Sequence, residues 1–284
     1  MKCAWQAYLN LLPHWLRSDV DKMGRENLQE LRLRIGRPPE LVMAKGNVRI
    51  GRSVCTDDLC FCVNAASRYS PWSSSSIRNG YITAPGGHRV GMCGDFAIVN
   101  NQVSTITNMT SLCIRVARDF AGIAEDVKDL KGSLLIIGPP GSGKTTFLRD
   151  VIRQKSDNGY GPIAVVDERM EIFPVQENTF SFSPGISTDV MAGCKKTNGM
   201  QILIRTMSPR CVAVDEITSE EDTKALVHAA WCGVSLLATA HADNLADFRK
   251  RPVYHLLSES GIFDHVVIMG LDKSWKLERM KLCS

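Results

Sequence analysis

Residues 138–145 read Gly-Pro-Pro-Gly-Ser-Gly-Lys-Thr, with an apolar run at residues 134–137 before them and helical sequence over residues 145 to about 154. This context satisfies the Walker A pattern in full. The glycines let backbone N–H groups curl around phosphates, and the following helix N-terminus adds positive potential. We expect Lys144 to reach the β- and γ-phosphates of ATP and Thr145 to ligate Mg²⁺. The predicted nucleotide contacts are Gly138, Pro139, Pro140, Gly141, Ser142, Gly143, Lys144, Thr145 and Thr146.

A second apolar run, residues 212–215, ends in Asp215-Glu216 about 70 residues after the Walker A lysine and threonine. An Asp-Glu pair after a strand is also typical of a helix N-cap, so it is weak evidence alone. Beyond a complete Walker A, it predicts that Asp215 holds Mg²⁺. It also predicts that Glu216 orients or deprotonates the attacking water.

Two further apolar runs end in polar residues. The run over residues 163–167 leads into Glu168-Arg169, and we predict that Glu168 lies near the γ-phosphate or the attacking water. The alternative is a surface salt-bridge cluster. The run over residues 235–239 leads into His241, for which we weigh a γ-phosphate sensor against a structural histidine. We favour the sensor, because the carboxyl ends of parallel strands meet at one edge of a sheet, where ligands bind.

The four apolar runs do not alternate, which is typical of buried parallel strands. We therefore predict an α/β fold, a RecA-like P-loop ATPase core with a mostly parallel sheet, over residues 133–284. A smaller α+β domain precedes it over residues 1–120, with residues 121–132 as a linker. In that domain we expect a mostly antiparallel sheet, one or two helices within residues 3–16, and a helix from Thr56, as N-cap, to about residue 69. Its predicted strands and hairpin cover residues 31–35, 40–44 with 48–51, 81–84, 88–93 and 111–117, with an exposed loop at residues 73–76.

Composition restricts the function classes. Hydrophobic residues make up 44% and charged residues 23%, as in a globular protein. The net charge is +4, and the excess lies in residues 1–125, with 15 basic against 10 acidic residues, so no strong nucleic-acid signal is present. No apolar run reaches about 18 residues, which predicts no transmembrane segment. The ten cysteines form no Cys-x-x-Cys motif, which favours free thiols in a cytoplasmic protein.

The order of these motifs resembles the secretion ATPase superfamily, which includes the type II secretion and type IV pilus motors. More specific strings resemble the stage III sporulation protein AA family of endospore-forming bacteria, and the resemblance covers nearly the whole chain. Those strings are ELRLRIGRP at 30–38, PGGHRVG at 85–91, VVDER at 165–169, LIRTMSP at 203–209 and ATAH at 238–241.

The resemblance implies a hexameric cytosolic ATPase, peripheral on a membrane through channel or sporulation proteins, that energises a channel between mother cell and forespore. It also implies that Arg115 and Arg118 act on a neighbour's nucleotide, the alternative being an exposed strand face. Three positions depart from the family pattern, since Thr218-Ser219 replaces Gly-Arg and Ser187 replaces Arg. Slow hydrolysis, or basic contacts from Arg169 and Arg205, would follow.

Two other function classes share the phosphate site. A nucleic-acid-dependent P-loop ATPase needs a basic loop that carries aromatic residues, which the near-neutral C-terminal part lacks. A small-molecule P-loop kinase needs arginine-rich lid and acceptor segments, and it does not require Glu216 after the Walker B aspartate. We therefore favour an oligomeric motor ATPase.

Overall fold

A computed structural model describes residues 1–43, 45–68, 80–99, 102–176 and 179–280, so the loop predicted at residues 73–76 lies outside these ranges. The chain forms two compact units, Met1–Asp119 and Phe120–Ser284. Each has its own buried apolar cluster. Within the described ranges, no helix combines the length and the apolar character that crossing a bilayer requires.

The first unit contains the helices α1 (Trp5–Asn10), α2 (His14–Met23) and α3 (Thr56–Ser67). Helix was predicted in all three places, but α2 continues to Met23, well beyond the predicted residues 3–16. Thr56 is not the N-cap of α3, so that prediction is wrong. Cys55 takes the position instead, because the Asp58 carboxylate three residues into the helix accepts a hydrogen bond from the Cys55 N–H at 3.0 Å. Thr56 is thereby already the first helical residue.

Six antiparallel strands form the sheet of the first unit in the order β3-β2-β1-β6-β5-β4. The predicted strands and the β2–β3 hairpin are confirmed, but β5 and β6 extend well beyond residues 93 and 111. Register shifts after Cys93, Asp95 and Ala97 interrupt the alternation of side chains there, which hides the strands from a period-two pattern. The strands are β1 (Leu28–Arg34), β2 (Glu40–Met43), β3 (Val48–Arg49), β4 (Tyr81–Thr83), β5 (Arg89–Val99) and β6 (Gln102–Arg115).

His88, within the PGGHRVG string, is buried and joins both ends of the first unit. Its Nε2 donates to the Ala4 carbonyl at 3.0 Å, and its Nδ1 accepts from the Ala117 N–H at 3.0 Å. Gly86 (φ 78°) approaches Ala4 so closely that a Cβ would collide with it. Burial lowers the pKa of His88 to about 4, although the hydrogen bond that His88 donates to the Ala4 carbonyl opposes this shift.

The second unit is built on a seven-stranded sheet in the order β11-β8-β12-β13-β7-β14-β15, parallel except for β15. Its four predicted strands are confirmed as β7, β8, β12 and β13. Three strands were not predicted, namely β11, which is only half-buried, and β14 and β15. The strands of this sheet are β7 (Leu134–Gly138), β8 (Ile163–Asp167), β11 (Thr188–Ala192), β12 (Cys211–Ile217), β13 (Ser235–His241), β14 (His265–Met269) and β15 (Trp275–Arg279). The short strands β9 (Val175–Gln176) and β10 (Thr179–Phe180) form a separate antiparallel pair.

Helices connect these strands and cover the sheet. They are α4 (Lys144–Asp157), α5 (Lys196–Met207), α6 (Glu220–Trp231), α7 (Leu245–Lys250) and α8 (His255–Ser260). Residues 121–132, predicted as a linker, belong to the second compact unit. There Ala124 and Val127 are buried, and Asp150 of α4 accepts a hydrogen bond from the Ala124 N–H at 2.8 Å.

The depressed pKa of His88 predicts acid sensitivity of the first unit. Between pH 6.5 and about 4 the unfolded chain binds the imidazole proton more readily than the folded chain. The free energy of unfolding therefore keeps its full value above pH 6.5 and decreases as the pH falls towards 4, by at most about 3 kcal/mol. His88→Gln keeps one donor and one acceptor but cannot titrate, so its unfolding free energy should depend less on pH. Urea unfolding of both full-length proteins, followed by tryptophan fluorescence, measures the difference; equal pH slopes would contradict the prediction.

Candidate active site

The Walker A loop runs from the end of β7 to the start of α4. Gly141 (φ 76°) and Gly143 (φ 100°) adopt left-handed backbone conformations that glycine tolerates best, and Gly143 caps α4. A Cβ on Gly138 would lie 2.6 Å from the Ser142 Oγ, so the loop folds tightly over the strand end. The Ser142 hydroxyl is buried and, among the described residues, has no hydrogen-bond partner. The loop therefore has the tight, glycine-rich fold of a phosphate-binding loop, and its buried Ser142 hydroxyl is available to a ligand.

Lys144 points back into this loop. Its Nζ donates to the carbonyls of Gly138 and Pro139, both at 2.9 Å, and lies 3.0 Å from the His241 Nδ1. Burial lowers the pKa of Lys144, and the carboxylates of Asp215 and Glu216 act in the opposite direction. The Walker A cation is thus held at the same sheet edge as both predicted acids.

A β-bulge brings Asp215 and Glu216 to that edge. Val214 pairs with Ala238 and Ile217 with Ala240, so two residues of β12 lie opposite the single residue Thr239 of β13. Glu216 adopts φ 52°, a conformation uncommon for a residue with a side chain. The irregular strand end therefore carries the two acids.

Asp215 lies beside Thr145, as expected for a metal pair. The Thr145 hydroxyl donates to Asp215 Oδ2 at 2.7 Å, and the Thr239 hydroxyl donates to Oδ1. Hydroxyl and carboxylate oxygens are the ligands that Mg²⁺ prefers. The two residues predicted for Mg²⁺ thus form an oxygen-donor set that suits this ion.

Both carboxylate oxygens of Glu216 have partners. The His241 Nε2 lies 2.9 Å from Oε1, and the Arg169 guanidinium donates to Oε2. Burial raises the pKa of Glu216, but the hydrogen bond from His241 and the charge of Arg169 outweigh it, so the net direction is downward. The Lys144 ammonium can only donate, so Nδ1 of His241 accepts and Nε2 carries the proton. His241 therefore links the Walker A lysine to Glu216 through one defined tautomer.

Glu168 lies at the same cleft but pairs elsewhere. Its Oε2 accepts from Lys196 Nζ at 3.0 Å, and that ammonium also lies 3.7 Å from Asp222. Glu168, Lys196 and Glu216 all line one cleft at the ends of β8 and β12. The ion pair with Lys196 is what the salt-bridge alternative predicted, and a place for Glu168 near the γ-phosphate or the attacking water stays a prediction.

Arg115 and Arg118 lie in the first unit and use their guanidinium groups differently. Arg115 is exposed and forms an ion pair with Glu30 at 3.0 Å. Arg118 is half-buried and donates to the backbone carbonyls of Arg25 and Leu28. Arg118 therefore has a structural role within its own unit, whereas the Arg115 head group faces solvent.

Sequence reasoning missed several residues of the site. Arg169 is not among them, since the sequence already named it as a source of basic contacts, but its ion pair with Glu216 was not expected. Lys196 begins α5, and Lys273, whose Nζ donates to the Gly141 carbonyl, lies in the β14–β15 turn. Neither lysine has a local sequence signal. Ser219, where the resemblance leads one to expect arginine, is the N-cap of α6 and accepts from the Asp222 N–H at 3.1 Å.

Known proteins match the chain over most of its length. Residues 6–277 match the family described as sporulation stage III, protein AA. The chain is 35% identical over 266 residues to stage III sporulation protein AA of Bacillus subtilis (strain 168), covering 90% of this chain and 87% of that protein. The chain belongs to the stage III sporulation protein AA family. The resemblance drawn from the sequence strings is thereby confirmed.

Solved structures of ATPases share the fold of this family member. The Legionella pneumophila ATPase DotB matches with a TM-score of 0.59 and 15% identity, covering 94% of this chain and 80% of that chain. The pilus retraction motor PilT with bound ADP matches with a TM-score of 0.58 and 14% identity, covering 93% and 82%. The predicted fold class, a RecA-like core preceded by an α+β domain, is confirmed.

Asp167, at the end of β8, organises the loop that presents Glu168 and Arg169. Its buried carboxylate accepts backbone N–H groups from Glu171 at 2.8 Å, Ile172 at 3.0 Å and Phe173 at 2.8 Å. Burial raises the pKa of Asp167 to about 6 although these hydrogen bonds oppose it. Neither the Walker A nor the Walker B pattern includes this residue.

Removing that carboxylate should destabilise the second unit. Asp167→Ala leaves two buried N–H groups and one part-buried N–H group without their acceptor, so we expect the free energy of unfolding to fall by roughly 2–4 kcal/mol. Asp189→Ala, a half-buried aspartate on the neighbouring strand β11, is the matched control and should cost less than about 1 kcal/mol. Urea unfolding of both variants tests this, and equal losses would refute the role of Asp167.

Proposed function

We propose that the chain is an ATP-hydrolysing motor of a secretion-type apparatus, which energises a mother-cell to forespore channel during endospore formation. The main support is the meeting of the Walker A lysine, the Thr145–Asp215 pair and the Glu216–His241 pair at one edge of the parallel sheet. Membership of a sporulation family supports the biological setting.

The loop fits the phosphates of ATP. The unused Ser142 hydroxyl, the open space around Gly141 and the inward-pointing Lys144 ammonium are the features that a phosphate-binding loop needs. Thr145 and Asp215 would hold Mg²⁺, which when bound offsets the charge of the phosphates. On binding, Lys144 would exchange its two carbonyl partners for phosphate oxygens, a stronger charge-assisted interaction.

Glu216 supplies the base or orienting group for the attacking water. The hydrogen bond from His241 fixes one carboxylate oxygen, and the lowered pKa keeps the group ionised near neutral pH. Arg169 engages the other oxygen, and each carboxylate oxygen keeps a second lone pair that can accept the proton of the attacking water. His241 also contacts Lys144, so a movement of Lys144 towards the phosphates would change the hydrogen bond between His241 and Glu216.

The proposal includes assembly into a homo-oligomer, a hexamer as the superfamily resemblance implies, on the cytoplasmic face of a membrane through channel proteins. Arg115 is the better candidate for a contribution to a neighbour's nucleotide, since Arg118 is used inside its own unit. Such an arginine would stabilise charge that develops on the transferring phosphoryl group.

Two substitutions separate binding from chemistry. Lys144→Ala should abolish tight ATP binding, because it removes a charge-assisted contact within a preformed loop. Glu216→Gln should bind ATP normally and lose turnover by roughly two to four orders of magnitude, the range for loss of a general base. Nucleotide titration and phosphate release measure the two effects. Normal turnover by Glu216→Gln would make Glu168 the next candidate for the general base. Normal ATP affinity of Lys144→Ala would contradict the proposed nucleotide site.

Assembly-dependent catalysis predicts complementation between defective chains. Arg115→Ala should lower turnover by up to about 10³-fold without weakening ATP binding, and specific activity of the wild type should rise with protein concentration. Mixing Arg115→Ala with Lys144→Ala should restore part of the activity. Arg32→Ala is the matched control, since Arg32 also pairs with Glu30 on the same sheet and should leave turnover unchanged. Flat activity on dilution together with no restoration on mixing would count against a contribution from the neighbour.

A further inference from the structure

Thr239 lies opposite the β-bulge of β12, and its side chain is completely buried. Its hydroxyl makes two hydrogen bonds, both to the two acids of the bulge. It donates to Asp215 Oδ1 and accepts from the Glu216 N–H at 2.8 Å. One side chain therefore contacts the carboxylate of one acid and the backbone of the next.

The bulge is what allows two consecutive acids to serve one site. In a regular strand, successive side chains point to opposite faces of the sheet. The extra residue and the left-handed conformation of Glu216 break that alternation, so that Asp215 meets Thr145 while Glu216 meets His241. A non-glycine residue in this conformation is disfavoured and persists only when its surroundings hold it.

We infer that Thr239 is a positioning residue whose hydroxyl holds the bulge, and with it the relative orientation of Asp215 and Glu216. The inference rests on the proposed ATPase function, which assigns those acids to metal binding and to the attacking water. Because the single hydroxyl proton is donated to Asp215, Thr239 has none to offer a phosphate. Thr239 thus places the acids, and the sensing role predicted from the sequence concerns His241.

Three variants test the inference. Thr239→Val keeps the shape of the side chain and removes the hydroxyl, whereas Thr239→Ser keeps the hydroxyl. Thr223→Val is the matched control, because Thr223 is equally buried and its hydroxyl donates to the Glu220 carbonyl at 2.8 Å, within α6. Each full-length variant is measured for ATP turnover, for nucleotide affinity without Mg²⁺, and for hydrogen exchange of the peptide that contains the Glu216 amide.

We expect Thr239→Val to lose about 10- to 100-fold in turnover, the range that loss of a hydrogen bond to a charged group represents. Its Mg²⁺-free nucleotide affinity should stay within about twofold of wild type, since the Walker A loop is untouched. The Glu216 amide should exchange faster in Thr239→Val, because its acceptor is gone. Thr239→Ser and Thr223→Val should match the wild type in exchange at this peptide and stay within about threefold in turnover.

The exchange measurement needs no ATP, so it separates the two claims. If the wild type does not hydrolyse ATP, the proposed function fails, and the Glu216 exchange still decides whether Thr239 holds the bulge. If Thr239→Val keeps wild-type turnover and wild-type exchange, the inference is overturned. Equal impairment of Thr239→Ser and Thr239→Val would also overturn it, because the hydroxyl would then not be the group that matters.

Discussion

Parallel hydrogen bonding among β8, β12, β13 and β7 determines where the functional side chains lie. The four strands run in the same direction, so the residues that follow each strand all lie at one edge of the sheet. The buried interior of these strands is apolar, and the first polar side chains appear where the strands end. The phosphate loop, the acid pair and His241 are consequently neighbours although more than 100 residues of sequence separate the first from the last.

Much of this arrangement could be predicted from the sequence, because buried parallel strands are short apolar runs and the Walker A loop has a strict pattern. The Walker A pattern predicts the position of Lys144. The ends of the apolar runs predict the positions of Asp215, Glu216 and His241. The bulge does not follow, since the string Val-Asp-Glu-Ile looks like a regular strand and only its pairing with β13 reveals the extra residue. Neither do Lys196 and Lys273, which reach the site by tertiary packing of distant elements.

Charge balance around Glu216 explains how so many ionised groups share one cleft. Burial alone would raise the pKa of a carboxyl group, and would lower that of a lysine. Here the charges of Asp215 and Glu216 raise the pKa of Lys144 against the effect of burial. His241, Arg169 and Lys196 lower the pKa of Glu216 against the effect of burial. Each charged form therefore compensates another, and the network is sensitive to any anion that competes for its cations.

That sensitivity bears on Ser219, one of the positions where the chain departs from the expected family pattern. Ser219 replaces a basic residue but caps α6 through Asp222, and the same Asp222 faces Lys196, which in turn pairs with Glu168. Lys196 thus brings a cation from α5 into the cleft, where its charge lowers the pKa of Glu216. The cleft therefore contains a cation from α5 although position 219 carries none.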